Sequence, residues 1–223
     1  MHRFFILKKE REAMYINEKF LNFLFSNKLR YEGQSETYFI SKEPLGDLLI
    51  TQGRIVMANP YAINNGVVVS ENIPNGKFPV SIFSMHDSVY DEIKVAAFLM
   101  QFKENEEPDE WRMCLPSGIN QNLIQSDGYY GLETESGNLT ICTQQTVGWL
   151  LSHIKESADV LEDIEQQISA TYFENGGVAN TILPGLEVNL ITMVGNEAKG
   201  YPAYWGYKNG NVVCMSVDFL VVD

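Results

Sequence analysis

Two stretches, Gly200-Tyr-Pro-Ala-Tyr-Trp-Gly206 and Asn211-Val-Val-Cys-Met-Ser-Val-Asp-Phe-Leu-Val-Val-Asp223, decide how this chain folds. At the two-residue period of a strand, Val213, Met215, Val217, Phe219 and Val221 form one unbroken apolar face. The opposite face carries Val212, Cys214, Ser216, Asp218, Leu220 and Val222, which sets a carboxylate among apolar neighbours. A segment apolar on both sides belongs in the middle of a sheet, so Asp218 is expected to point inward and to be paired, hydrogen-bonded or protonated there. Its structural role would be to accept hydrogen bonds from backbone amides or from Tyr and Trp groups of the aromatic stretch, which reads as a turn.

The rest of the chain supplies partners for that ribbon. Asp91 to Lys103 is apolar on both alternating faces and reads as a second central strand, followed by an acidic loop tip over Glu104 to Glu110. Further strands are expected at Trp111 to Leu115, Tyr129 to Glu133, Asn138 to Cys142 and Val188 to Val194. From Tyr31 to Ile82, short apolar runs are punctuated by Gly and Pro. Leu48 to Ile50 and Arg54 to Ala58 read as a hairpin around Thr51-Gln52-Gly53, and a strand from Phe78 to Phe83 follows the turn signal Asn75-Gly76.

Helical spacing appears twice. Residues 12 to 29 place Ile16, Phe20, Phe23 and Leu24 on one side. Beyond Thr143 or Thr146, either of which suits a helix cap, a stripe runs Val147, Leu150, Leu151, Ile154, Ala158, Leu161, Ile164 and Ile168. This is one helix to about Tyr172 or two with a break near Ala158-Asp159, ended by Glu174-Asn-Gly-Gly177. The expected fold is α+β: a largely antiparallel, two-layer or sandwich-like sheet with an N-terminal helix and a helical segment around 143–173. No repeat or linker divides the chain, so one domain is expected over 1–223, with a helical extension over 1–30 and a β-rich body over 31–223.

Composition narrows the function classes. The chain has 223 residues, 45% of them hydrophobic and 12% aromatic, enough for a sizeable core. A formal charge of −13 argues against nucleic acid as a ligand and favours encounter with a basic protein, although solubility alone also explains it. Cys114, Cys142 and Cys214 are odd in number and apolar in setting, which suits core thiols in a reducing, cytoplasmic compartment. No window nears the length of a membrane span, and the apolar run Phe4 to Leu7 is too short for a signal peptide.

Phosphate-cradling and nucleophile motifs do not occur, and His2, His86 and His153 have no second ligand at metal spacing, so neither cofactor nor metal is expected. Carboxylates are the remaining candidates. Asp218 leads them, with Glu197 and Lys199 in a loop as a site neighbour or an ordinary ion pair. Tyr201, Tyr204, Trp205 and Tyr207 line a ligand groove, form a partner surface or close a hydrophobic corner.

Gly46-Asp-Leu-Leu-Ile-Thr-Gln-Gly-Arg-Ile-Val-Met-Ala-Asn-Pro60, Pro74-Asn-Gly-Lys-Phe-Pro-Val80, Ile93-Lys-Val-Ala-Ala-Phe98 with Trp111, Gly200 to Gly206 and Val212 to Phe219 together resemble the bacterial family catalogued as domain of unknown function 4241. The likeness spans roughly Pro44 to Asp223 and implies a bacterial, intracellular, single-domain protein, with no reaction attached. The family's pattern sets acidic residues where this chain has Asn59, Thr143 and Gly195-Asn-Glu-Ala-Lys-Gly200, which leaves Asp218, Glu135 and Glu197.

Two function classes follow. One is a non-catalytic binding protein of the immunity or antitoxin type, neutralising a basic toxin domain. The other is a hydrolase or similar enzyme with a pocket between Gly200 to Gly206, Asp218 and the Asn59-Pro60 loop. A deep pocket of convergent polar groups would favour the enzyme, and a flat acidic face the binder. A structural or regulatory subunit is a third reading.

Overall fold

The computed structural model describes residues 7–8, 16–69, 71, 73–87, 91–116, 118–119, 128–134, 136–195 and 200–223. In chain order the first elements are β1 (Leu7–Lys8), α1 (Glu18–Phe23), β2 (Arg30–Glu32), β3 (Thr37–Ile50) and β4 (Ile55–Ala58). A short 3-10 helix (Pro60–Asn65) precedes β5 (Val67–Val69), β6 (Gly76–Asp87), β7 (Glu92–Gln101), β8 (Glu110–Met113), β9 (Gly128–Tyr129), β10 (Gly131–Glu133) and β11 (Asn138–Thr143). Two helices, α2 (Gln144–Ser152) and α3 (Ile154–Asn175), lead to β12 (Val178–Ile182), β13 (Asn189–Val194), β14 (Gly200–Lys208) and β15 (Asn211–Asp218).

The protein is α+β, and every strand ladder among the described residues is antiparallel. A large sheet runs β10-β14-β15-β7-β6-β3-β2, with β8 also on β14, and a smaller one runs β12-β13-β11-β4-β5. Their inner faces share one apolar cluster, in which Ile82, Phe98 and Met215 of the large sheet join Met57, Ile141 and Ile191 of the small one. Each such side chain, fully buried, contributes roughly 1.5–3 kcal/mol of transfer free energy. The outer face of the large sheet is covered by Phe20 and Leu21 of α1 and by Leu24 just after it, and that of the small sheet by Leu150, Val160 and Ile164 of α2 and α3. The result is a sandwich with helices on both sides.

The doubly apolar strands lie where their composition requires: β7 between β6 and β15, and β15 between β7 and β14. Met215, Val217 and Phe219 face the inter-sheet core, but Val213 leaves that face and packs with Cys214 in the outer cluster. The cause is a bulge, where the β14–β15 register shifts between Gly206 and Tyr207 and an extra residue reverses the alternation.

Four further features differ from the sequence expectation. Gly200–Lys208 is a strand, not a turn: it pairs with β15 on one side and with β10 and β8 on the other, and the turn is Asn209-Gly210. The Thr51-Gln52-Gly53 turn does not close a hairpin. It carries the chain from the large sheet (β3) to the small one (β4), with Gln52 and Gly53 at φ 63° and 61°. Within 12–29 the described helix is only Glu18–Phe23; Asn17 caps it through Phe20 N–H at 3.0 Å, and i→i+3 bonds at Phe25 and Ser26 wind it down. Residues 12–15 lie outside the described residues. Beyond β11 there are two helices, capped first by Thr143 Oγ1, but the break is at His153, whose φ −119° and ψ 64° are non-helical, rather than near Ala158. Ser157 Oγ lies 2.5 Å from Leu150 O and 2.7 Å from His153 O across that break.

Strand β12 is absent from the sequence expectation. Its exposed side would be a free edge, yet α3 covers it: Thr171 Oγ1 accepts Val178 N–H at 2.9 Å and Gln167 Oε1 accepts Asn180 N–H at 3.0 Å. The loop between them depends on Gly176, at φ 89°, where a Cβ would meet Val95 N at 2.7 Å.

Candidate functional site

Asp218 ends β15 on the outer face of the large sheet and is 3% exposed. Its Oδ1 accepts Leu220 N–H at 2.7 Å, which closes a turn that holds Leu220 at φ 57°, a conformation uncommon for a branched side chain. Burial first, and then the negative charge of Asp218, push the Tyr129 phenol above its ordinary value. The carboxylate thus has a defined structural partner downstream, in Leu220.

The aromatic residues divide between the two faces of β14. Tyr201 and Trp205 enter the core between the sheets, while Tyr204 shares the outer cluster with α1. Among the described residues the buried indole N–H of Trp205 meets no acceptor. Tyr201 fits because position 195 is glycine; a side chain there would collide with its hydroxyl. Asn59 sits in the small sheet's connection, where Oδ1 accepts Tyr61 N–H at 3.0 Å and Ser136 Oγ–H at 3.1 Å, so it caps the short 3-10 helix. Glu197, Lys199 and Glu135 lie outside the described residues.

The named residues therefore do not share one pocket. Tyr204 and Asp218 are together on one side of the sheet, Tyr201 and Trp205 on the other, and Asn59 at the end of β4. Where Tyr201 meets Met57, Val69 and Cys114 there is an apolar cavity of about 10 Å³, the scale of a single water. No three His, Cys, Asp or Glu side chains converge as a metal-holding group among the described residues.

A larger concavity lies elsewhere. Between α1 and the segment leading into β8, a surface cleft of about 350 Å³ is walled by Glu18, Glu107, Asp109 and Glu110 and by the rings of Phe25 and Trp111. Trp111 Nε1 donates to Asn22 Oδ1 at 2.9 Å, fixing the indole against the helix, and its ring centroid is 6.2 Å from that of Phe25. Glu110 is gripped by Arg112 through two bonds of 2.6 and 2.8 Å, and that guanidinium lies 4.2 Å from the Tyr207 ring centroid. The Arg112 hydrogen bonds hold the Glu110 carboxyl below its ordinary range. Tyr207 in turn donates to Glu71 Oε1 at 2.6 Å. Carboxylates around aromatic rings suit a cationic side chain, which gains from both Coulomb attraction and the ring quadrupole.

From local sequence alone Glu104 to Glu110 reads as a solvated tip, because nothing local indicates that α1 packs beside it. The available signal was the aromatic Trp111 directly after the acidic run, together with Asn22 and Phe25 one helical turn apart.

A family model described as "Protein of unknown function (DUF4241)" matches residues 48–217. The chain belongs to the DUF4241 family. The DUF4241 region takes in most of both sheets together with α2 and α3, whereas α1, which forms one wall of the cleft, precedes it, and Asp218 follows it. No significant match was found among curated proteins or solved structures.

Proposed function

We propose that this DUF4241 protein is a non-catalytic, acidic protein-binding module whose partner is a basic protein, in the manner of an immunity or antitoxin protein that neutralises a toxin domain. The observation that carries the reading is the cleft of Glu18, Glu107 and Asp109 around Phe25 and Trp111, with room for a protruding Lys or Arg side chain. The chain's charge of −13 would speed such an encounter. Three buried free thiols, and no helix long and apolar enough to cross a membrane among the described residues, accord with a cytoplasmic setting.

The test is co-expression with the products of neighbouring reading frames, followed by titration of any co-purifying basic protein at two salt concentrations. Binding that weakens with salt, and weakens about tenfold or more in Glu107→Lys or Glu18→Lys, supports the reading. A chain that captures no basic protein, protects against no neighbouring product and turns over a small molecule instead would end it.

A further inference from the structure

We propose that the outward face of α3 is a second docking surface, occupied by a basic protein segment that sets an apolar side chain on Phe173 and Lys or Arg side chains on the carboxylates upstream. The inference rests on the reading of the chain as an acidic protein-binding module.

The face is defined by helical spacing. Val160 and Ile164 turn into the cluster over the small sheet, and Gln167 and Thr171 turn to the edge of β12. Opposite them, at steps of three and four, come Asp159, Glu162, Gln166, Ala170 and Phe173, all exposed. Phe173 is 85% exposed and meets the half-exposed Tyr172 edge-on, with centroids 5.5 Å apart, so an aromatic pair stands in solvent on the last turn of the helix. At that exposure Phe173 buries little of its ring in the fold, and aromatic residues are enriched where proteins bind one another.

Charge selects the occupant. Across its 22 residues α3 carries six carboxylates, Glu156, Asp159, Glu162, Asp163, Glu165 and Glu174, against the single cation Lys155. A second copy of this chain would bring the same carboxylates to the contact, and an anionic membrane or a nucleic acid would be repelled. A protein segment with an apolar stripe flanked by Lys and Arg meets both features of the face at once.

The probe is a synthetic amphipathic helical peptide with Leu along one side and Lys and Arg beside it, titrated against the full chain by calorimetry. Control peptides replace its Leu by Ser or its cations by Glu. Saturable binding is expected to the first peptide alone, weakened roughly tenfold by Phe173→Ala and similarly by the pair Asp159→Lys and Glu162→Lys, and weakened less than that by Glu107→Lys in the cleft. Because these positions are exposed, the variants should keep the native circular dichroism and melting temperature. Binding lost only in Glu107→Lys would overturn this inference while leaving the proposed function standing. Absence of saturable binding, or indifference to Phe173→Ala, would overturn it whatever the cleft does. A self-association abolished by Phe173→Ala would overturn it in favour of a second copy.

Discussion

Asn189 Nδ2 lies 2.6 Å from Asn180 Oδ1, and this pair of amides joins the small sheet to the long strand β3 of the large one. Asn189 donates to Asp47 O at 2.8 Å and accepts Leu49 N–H at 3.0 Å, while Asn180 donates to Leu45 O at 2.8 Å. Beyond its pairing with β2, β3 has no strand on that side among the described residues, and two side chains take over the role of a ladder. Replacing Asn189 by Leu keeps the branch at Cγ but adds bulk and orphans groups on both strands, and is expected to cost about 2 kcal/mol or more. Urea unfolding should show the lower midpoint with an unchanged slope.

Asp218→Ala removes the acceptor that holds Leu220 in its left-handed turn and should destabilise by roughly 1–2 kcal/mol, with Asp218→Asn milder because the amide oxygen still accepts. A second readout follows from the charge. The Tyr129 phenol is raised by burial and then by Asp218, so both substitutions should lower its titration midpoint in an ultraviolet pH titration.

Asp223 ties the β2–β3 hairpin turn to the end of the chain described here. Its Oδ1 accepts Gln34 N–H and Tyr38 Oη–H, each at 3.0 Å, and its Oδ2 accepts Ser35 N–H at 3.0 Å and the Ser35 hydroxyl. Burial works to raise this carboxyl, but the hydrogen bonds from Ser35, Tyr38 and Gln34 outweigh it and leave the group below its ordinary value. The folded state therefore holds the proton less tightly than the unfolded chain. That stabilisation is present above the ordinary carboxyl value of about 3.9 and is lost as pH falls through the lower folded value. Asp223→Asn should flatten the acid limb of a stability–pH curve in this window.

The three cysteines should be inert in the native protein. All are buried, and burial pushes Cys142 and Cys214 up to about 12 and Cys114 well above its ordinary value. Iodoacetamide at pH 8 should label none of them until denaturant is added, as mass spectrometry would read. Because the folded thiols bind protons more tightly, their contribution to stability is complete below about 8.5 and declines as pH rises toward the folded values.

Local patterns announced most strands. β7 and β15 were legible as interior strands because both of their faces are apolar, and α2 and α3 because Thr143 and Gly176 have the chemistry of helix ends. Pairing was not legible. Ile50 and Ile55 flank a tight turn with positive-φ residues, the usual mark of a hairpin, yet they fall in different sheets because a turn constrains direction only over its own few residues. The aromatic run Gly200–Gly206 reads as a turn for a related reason: Gly and Pro signal a turn when neighbours are unknown, and here both sides of the strand find partners.

By itself, the sequence determined an α+β chain of antiparallel strands, an acidic charge far from neutrality, and an acid embedded in a central strand, since these depend on residue type and short-range period. Only the tertiary structure decided which aromatic residues stand with Asp218 and which are hidden between the sheets, and that Glu107, Trp111 and Phe25 meet across a cleft. Those relationships join residues tens of positions apart, and they arise from sheet order and from where α1 packs, neither of which any local pattern encodes.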